Sequence, residues 1–448
     1  MAEITKRESL GREALENLVE IALDEARRLG VDQAEVAASQ DIGLSATARL
    51  GDVENLEFTN DRGIGITVYK NSCKGNASTS DISPAAIREV VAKACSFASF
   101  TAKDEFSGLA DVERMATDLI DLDLDHPWDI DANEAIALAV ETERAALAQD
   151  KRINNSEGGT VSTNRGSRAY GNTHGFIGSD TRTSHSVTCV VLAEADGTME
   201  RDYDYTSSRV PGELDDAASV GVRAAEKTIS RLGAKKIKTT TAPVLFVPEL
   251  ARGFIGHAIG AVSGGSQYRR SSFLLDAIGE KVFPEFVHVQ ERPHVPRAMA
   301  SRSYDAEGVA TYDRDIFADG VLQSYVLSSY SARKLGLETT ASAGGTQNLI
   351  IPGNDMDLNG LIAEMSTGLI VEELIGQGVN PVTGDYSRGA VGHWVENGEI
   401  QFAVHEVTIA GNLKELYQRI VAIGNDQDFR SSMLCGSLLV EEMTIAGA

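Results

Sequence analysis

The sequence predicts an α+β protein of two domains, helix–antiparallel meander–helix units in the N-terminal half and a bent antiparallel sheet or partial barrel around a central helix in the C-terminal half. Three observations carry this expectation. Short, partly alternating apolar runs separated by Gly, Asn and Asp recur along the chain, which is the pattern of antiparallel meanders. Segments with helical apolar spacing flank those runs. A basic, then threonine-rich stretch, Lys235-Lys236-Ile237-Lys238-Thr239-Thr240-Thr241, interrupts an otherwise acidic chain, so the domains are expected over 1–235 and 242–448.

The first element is an amphipathic helix over 8–29, from Glu8, with Leu15, Leu18, Val19, Ala22, Ala26 and Leu29 on one face and Gly30 placed to stop it. Strands follow at 34–39, 42–48, 53–58 and 65–69. Ser83 and Pro84 supply an N-cap and a first-turn proline for a helix running to about residue 99. An acidic connector over 104–131 leads to Asp131 and Glu134, spaced as a capping box for a helix to about residue 148. A second set of strands is expected at 161–163, 168–172, 186–195 and 199–205, with a hairpin at Asp196-Gly197, and a helix at 213–232. The order helix–meander–helix thus occurs twice, over 1–103 and 131–235. Each second helix follows a Ser/Thr-rich exit, Ser78-Thr79-Ser80 or Thr206-Ser207-Ser208, which is consistent with a diverged duplication or with chance among common elements.

Past the boundary, Ala242 to Val247 reads as a buried strand ending at Pro248, where the central helix over 248–262 starts. Leu250, Phe254, Ile255, Ala258, Ile259 and Val262 recur at helical spacing, while Gly253, Gly256 and Gly260 leave part of the surface bare, so that another backbone is expected to approach closely. Asp319-Gly320 and Asn397-Gly398 are hairpin signals, joining 315–317 to 321–326 and 390–395 to 399–404. The stretch 408–412 leads into a short helix over 413–420, and 436–442 forms the last strand.

Composition limits function. With 41 Lys and Arg against 66 Asp and Glu, a net charge of −25 argues against a phosphate-binding surface of the kind nucleic acid requires. The N-terminal stretch has no continuous apolar core of a signal peptide, and no run approaches the ~20 apolar residues of a membrane span, so a cytoplasmic location with no membrane contact is expected. Cys73, Cys95, Cys189 and Cys435 form no C-x-x-C pair and read as reduced thiols.

Candidate chemistry is sparse. His405-Glu406 opens like a zinc-peptidase motif, but Ile409 stands where the second histidine belongs. His288 and His294, with Glu285 and Glu291, lie in a segment broken by Pro284, Pro293 and Pro296, and read as loop histidines. Ser263-Gly264-Gly265-Ser266 follows a helix rather than starting one, so it is expected to be a helix C-terminus unwinding into a turn. Ser263, Ser266, Tyr268 and Arg270, with His257, are the candidate contacts for a peptide or a partner. His257 is the one titratable residue between Arg252 and Tyr268, a core or interface histidine or an acid–base group with nothing to act on.

At this helix the chain resembles the TldD/PmbA family, and within it the PmbA (TldE) branch. The resemblance extends through Asn55-Leu56-Glu57-Phe58, Arg62-Gly63-Ile64-Gly65, Ser78-Thr79-Ser80-Asp81, Arg201-Asp202-Tyr203, Ser263-Gly264-Gly265-Ser266 and Trp394-Val395-Glu396-Asn397-Gly398-Glu399-Ile400. In the TldD branch the helix carries H-E-x-x-x-H, two zinc-binding histidines and a general-base glutamate. On that pattern the first histidine falls on Gly256, the glutamate on His257 and the second histidine on Ala261. A third ligand, a cysteine near the C-terminus of the TldD branch, falls near Ile423-Gly424, about a dozen residues before Cys435.

The resemblance therefore implies a chain with no catalytic residue and no metal of its own. It would be the non-catalytic subunit of a bacterial cytoplasmic metallopeptidase acting on unfolded or short peptides, with zinc in a TldD-like paralogue bound to it as a heterodimer or larger assembly. A homodimer is the alternative state. The family's links to peptide-antibiotic maturation, antidote degradation and modulation of DNA gyrase are implied in the same way. Two other readings stay open, a self-sufficient hydrolase with an unrecognised site and a binding module without peptidase function. From the charge balance, gel-shift titration at physiological salt should show no duplex DNA binding; a low-micromolar shift that weakens steeply with salt would contradict this.

Overall fold

The computed structural model describes residues 9–447; Glu8, the expected start of the first helix, lies outside them. The N-terminal half contains α1 (Arg12–Arg28), β1 (Gln33–Arg49), β2 (Asp52–Lys70), β3 (Cys73–Thr79), α2 (Pro84–Ala98), α3 (Ala132–Leu147), β4 (Ile153–Asn172), β5 (Ile177–Ala195), β6 (Thr198–Ser208) and α4 (Ala217–Ser230). Its strands form one six-stranded antiparallel sheet in the order β3-β2-β1-β4-β5-β6. Two three-stranded meanders thus meet where β1 pairs with β4, for example Gln40 opposite Ser167. Even-numbered residues of β1, Ala34 to Ala38 and Leu44 to Ala48, are buried in the clusters that also hold α1, α2 and α3. The other face is polar, with hydroxyl pairs across the strands such as Ser45 with Ser162 at 2.9 Å and Thr47 with Thr160 at 3.0 Å.

The local signals act as the sequence predicts. The Ser83 hydroxyl accepts the Ala86 N–H, and Asp131 and Glu134 form a complete capping box. Asp196-Gly197, Asp319-Gly320 and Asn397-Gly398 all have both central residues at positive φ, the conformation of two-residue hairpin turns. The strands are a correction. The expected pieces 34–39 with 42–48, 53–58 with 65–69, and 161–163 with 168–172 are each continuous, and β3 occupies a stretch expected only as a helix lead-in. In the interior strand β1, Ile42 pairs with Asn60 on one side and Arg165 on the other, and this double ladder holds Asp41 and Gly43 extended against their local preference.

The C-terminal half contains β7 (Thr240–Phe246), α5 (Pro248–Ala261), α6 (Gly264–Tyr268), β8 (Val289–Glu291), β9 (Arg314–Ala318), β10 (Val321–Leu322), α7 (Ser329–Leu335), β11 (Leu349–Ile350), α8 (Leu358–Met365), β12 (Gly368–Ile375), β13 (Asp385–Glu396), β14 (Glu399–Asn412), α9 (Leu413–Gln418), β15 (Ile420–Ile423), β16 (Met433–Leu434) and β17 (Leu438–Ala446). A small sheet runs β10-β9-β8-β11-β16. The larger one runs β14-β13-β12-β7-β17-β15, and an added pairing of β14 with β17, Ile409 opposite Ile445, closes five of its strands into a ring. The expected partial barrel is therefore closed. It is not wholly antiparallel, because β12 runs parallel to β7, with Leu369 beside Val244. Strand β10 stops at Leu322 instead of reaching 326, residues 408–412 belong to β14, and the last strand starts at Leu438.

Val244 and Phe246 of β7, Val371 of β12, Tyr386 of β13, Val404 of β14 and Val440 of β17 join the buried face of α5 in a single core. Among the described residues no helix is long and apolar enough to cross a membrane. Helix contacts in the two halves differ in closeness. A Cβ added to Gly221 of α4 would lie 2.0 Å from the Thr142 carbonyl oxygen of α3, whereas one added to Gly253 of α5 would meet nothing within 4 Å. Gly221→Ala should therefore lose ~1–3 kcal/mol of stability by overpacking, while Gly253→Ala gains ~0.5–1 kcal/mol from reduced backbone entropy. Urea denaturation of the two variants checks this; equal effects would contradict it.

Candidate functional site

Helix α5 starts at a proline in its first turn, directly after the buried strand β7, so its direction is set by the barrel wall. Its inner face, Ala251, Phe254, Ile255, Ala258 and Ala261, is buried. Phe254 stacks on Phe246 at 5.0 Å between ring centres and meets Tyr386 and Tyr417 edge-on at 5.8 and 5.2 Å. The Tyr417 hydroxyl donates to the Phe254 carbonyl at 2.9 Å, which fixes the height of the helix in the core. The opposite face is different. Added Cβ atoms at Gly253, Gly256 and Gly260 would meet nothing within 4 Å, so among the described residues the expected close approach of another backbone does not occur.

The positions of the metal-binding pattern are unsuited to zinc. Gly256 has no side chain and lies on the open face. Residues five apart on a helix point about 140° from each other, and Ala261 accordingly faces the core at 2% exposure. Its carbonyl accepts hydrogen bonds from Gln267 Nε2 and Ser272 Oγ, both at 2.7 Å. His257, half-buried, lies 6.1 Å from the Tyr386 ring and makes no hydrogen bond among the described residues. Burial, and then the Arg388 charge, lower its pKa, so it is neutral at neutral pH. Ile423, one of the two residues near which the resemblance places the third ligand, is a 1% exposed core residue. Cys435 is fully buried and its thiol is pushed up to about 12 by that burial, which keeps it protonated and inert. His405 and Glu406 lie on β14 with Glu406 paired to Lys236, His288 faces Asp319, and His294 bonds Thr311. Among the described residues no three His, Cys, Asp or Glu side chains are gathered as metal ligands.

The turn after α5 overturns one expectation. Rather than unwinding, the chain starts a new short helix, α6, at Gly264, with the Ser263 hydroxyl accepting the Ser266 N–H as its cap. Sequence polarity misled here because the second helix is only one turn or so long and has no apolar period of its own. Ser266 Oγ donates back to the Gly260 carbonyl at 3.0 Å, so Ser263 and Ser266 are brought together, but in capping. Tyr268 packs edge-on against Tyr330 and its hydroxyl accepts from Arg269, while Arg270 points to solvent near Asp276. The hydrogen bonds and ring contacts of Tyr268 and Arg270 are made with residues other than His257.

A charged network beside the start of α5 was not legible in the sequence. Arg430 donates to Asp428 Oδ1, Glu249 Oε1 and the Tyr205 carbonyl, each at 2.7 Å, with its guanidinium 4.2 Å from the Tyr205 ring centre. Arg252 donates to Asp428 Oδ2 at 2.7 Å. Burial pushes Asp428 up, yet the Arg430 hydrogen bonds and the charges of Arg430 and Arg252 outweigh it and hold the carboxyl below its ordinary range. Tyr203, stacked on Tyr205, and Phe429 at 72% exposure add an aromatic rim. Arg252 and Asp428 stand 176 residues apart, and no local motif announces the pairing.

Comparison with known proteins gives the same frame. The chain matches family models described as PmbA/TldA metallopeptidase domain 1 over residues 34–98, central domain over 125–232 and C-terminal domain over 239–447. It is 48% identical to Metalloprotease PmbA of Escherichia coli O157:H7 over 97% of both chains, and 46% identical to a Metalloprotease PmbA homolog of Haemophilus influenzae over 97% of this chain and 96% of that one. A Metalloprotease TldD homolog of Buchnera aphidicola is 23% identical over 61% of this chain and 64% of its own length. Among solved structures, a putative modulator of DNA gyrase from Bacteroides thetaiotaomicron superposes with a TM-score of 0.93 at 27% identity, over 98% of this chain and 100% of that one. The fold is also that of TldE from Thermococcus kodakarensis, with a TM-score of 0.82 at 21% identity, over 96% and 99%.

His257 makes a pH dependence checkable. Its folded pKa is depressed, so as pH falls below about 6.5 the unfolded chain takes up a proton that the folded chain refuses, and stability present above that pH is lost. Relative to His257→Gln, the parent should lose stability between pH 7.5 and 5.5, read as urea midpoints. A parent–variant difference that is the same at both pH values would contradict it.

Proposed function

Since the chain belongs to the PmbA/TldD metallopeptidase family, we propose that it is the non-catalytic subunit of a zinc peptidase, paired with a TldD-like paralogue that carries the metal. The observation that carries this reading is the pair Gly256 and Ala261. One has no ligand atom, and the other sits in the core where a histidine would displace packed side chains. Zinc in the partner would supply an activated water for amide hydrolysis. This chain's part is to present the bare face of α5, the Arg252–Asp428–Arg430–Glu249 network and the Tyr203, Tyr205 and Phe429 rim to a short or unfolded peptide, or to the partner. Its place of action on this reading is the cytoplasm. The metalloprotease names of the relatives favour a second reading, in which the pure chain hydrolyses peptides by itself.

Reconstitution separates the two. The isolated chain should contain no stoichiometric zinc by elemental analysis, and chelator-sensitive peptidase activity should appear only on mixing with the TldD-like paralogue. His257→Ala should keep that activity within about tenfold, a ~1.4 kcal/mol effect. A Cβ added at Gly260 meets nothing within 4 Å outside its own helix turn, so a loss of assembly in Gly260→Ala, read by gel filtration, reports contact from outside. Loss of activity in His257→Ala with the complex intact, or activity of the pure chain, would sink the proposal.

A further inference from the structure

Between the first turn of α1, the start of β5 and the loop after residue 300 lies a cavity of about 400 Å³ with no residue of α5 in its wall. Its wall includes Arg12, Glu16, Asp180, Arg182, Arg302 and Tyr304. The wall also carries three acids, Glu16 bonded by the Ser179 hydroxyl, Asp180 held by Arg182, whose Nε and Nη2 lie 2.8 and 2.6 Å from Oδ1, and Asp121, whose Oδ1 accepts the Asp123 N–H. Arg302 is not held in this way. Its Nε is buried without a hydrogen-bond partner, and among the described residues its guanidinium makes no ion pair.

The chain around Arg302 holds it in place. Its N–H donates to the Pro293 carbonyl and its carbonyl accepts the Thr311 hydroxyl at 2.7 Å. The Ser303 hydroxyl, next along, bonds both the N–H and the carbonyl of Ile120. Burial, and then the charges of Arg182 and Arg168, lower the Arg302 pKa; Asp180 and Asp305 oppose this, neither of them in an ion pair with it. A half-buried guanidinium with two arginines and two aspartates around it, none of them bonded to it, is costly, and it is not explained by a shortage of carboxylates in a chain with 66 acidic and 41 basic residues. Arg12 opens α1, a helix of 17 residues whose N-cap, Gly11, offers no side chain, so the free N–H groups and positive end of α1 add to the field at the cavity.

We propose that this cavity binds a small oxyanion, a carboxylate or phosphoryl group, held by the terminal nitrogens of Arg302, with Arg12 and the start of α1 beside it. A planar guanidinium with unused donors suits such a group, and the bound charge would supply what Arg302 lacks in the free protein.

Titration calorimetry of the full chain with inorganic phosphate and with succinate, each against chloride at matched ionic strength, tests this and tells the two sources apart. Saturable binding of one or both is expected, with Arg302→Met weakening it at least about tenfold while leaving the melting temperature in anion-free buffer equal or higher. Should that variant fail to fold, the unaltered protein still reports: the bound anion should protect Arg302 from modification by phenylglyoxal, read by peptide mass. Absence of binding by both anions, binding by Arg302→Met equal to the parent, or modification of Arg302 at the same rate with and without anion would each overturn the site.

Discussion

The seating of Phe254 is what the C-terminal half depends on. One ring, held by Phe246 on its face, Tyr386 and Tyr417 on its edges and the Tyr417 hydroxyl on its own carbonyl, ties the central helix to two strands of the barrel wall, β7 and β13, and to α9. Aromatic contacts of this kind are worth ~0.5–1.5 kcal/mol each beyond the area they bury. They also offset a weakness of the same helix, since each glycine inside it costs roughly 0.5–1 kcal/mol relative to alanine. With the inner face locked, the outer face can be left as bare backbone and the helix still stands.

That division separates the framework of a peptidase site from its chemistry. On the proposed reading the helix, its anchoring and the charged network at its start form a scaffold, and the positions that the resemblance assigns to metal hold a glycine and a core alanine. His257, which the resemblance aligns with the general base, has a pKa lowered by burial and by the Arg388 charge, and its ring lies 6.1 Å from that of Tyr386, an environment that keeps the imidazole neutral.

What the sequence discloses and what it hides follow the range of the interactions. Caps, hairpin turns and the bounds of α5 were legible because a few adjacent residues decide them: Ser83 with Pro84, Asp131 with Glu134, Asn397 with Gly398. The continuity of β1 was hidden because Asp41 and Gly43 read as breakers until the ladders on both sides are known. The parallel register of β7 and β12, the closing of the ring by β14 and β17, and the meeting of Arg252 with Asp428 all join segments far apart in the chain. The α6 turn was misread for a different reason, since five residues are too few to show a period.

The ring also imposes an order in time. Strand β7 is flanked by β12 and by β17, so the strand nearest the domain boundary must wait for residues 438–446 to pair along its second edge. Loop-closure entropy makes such distant pairings slow, and on a ribosome the ring stays open until nearly all of these residues have emerged. The sheet of β1 to β6 needs nothing beyond Ser208 for its ladders and can form earlier. During synthesis the apolar face of α5, whose core includes Val440 of β17, therefore stays incompletely covered until the last strand is made, which exposes the nascent C-terminal half to chaperones and to aggregation.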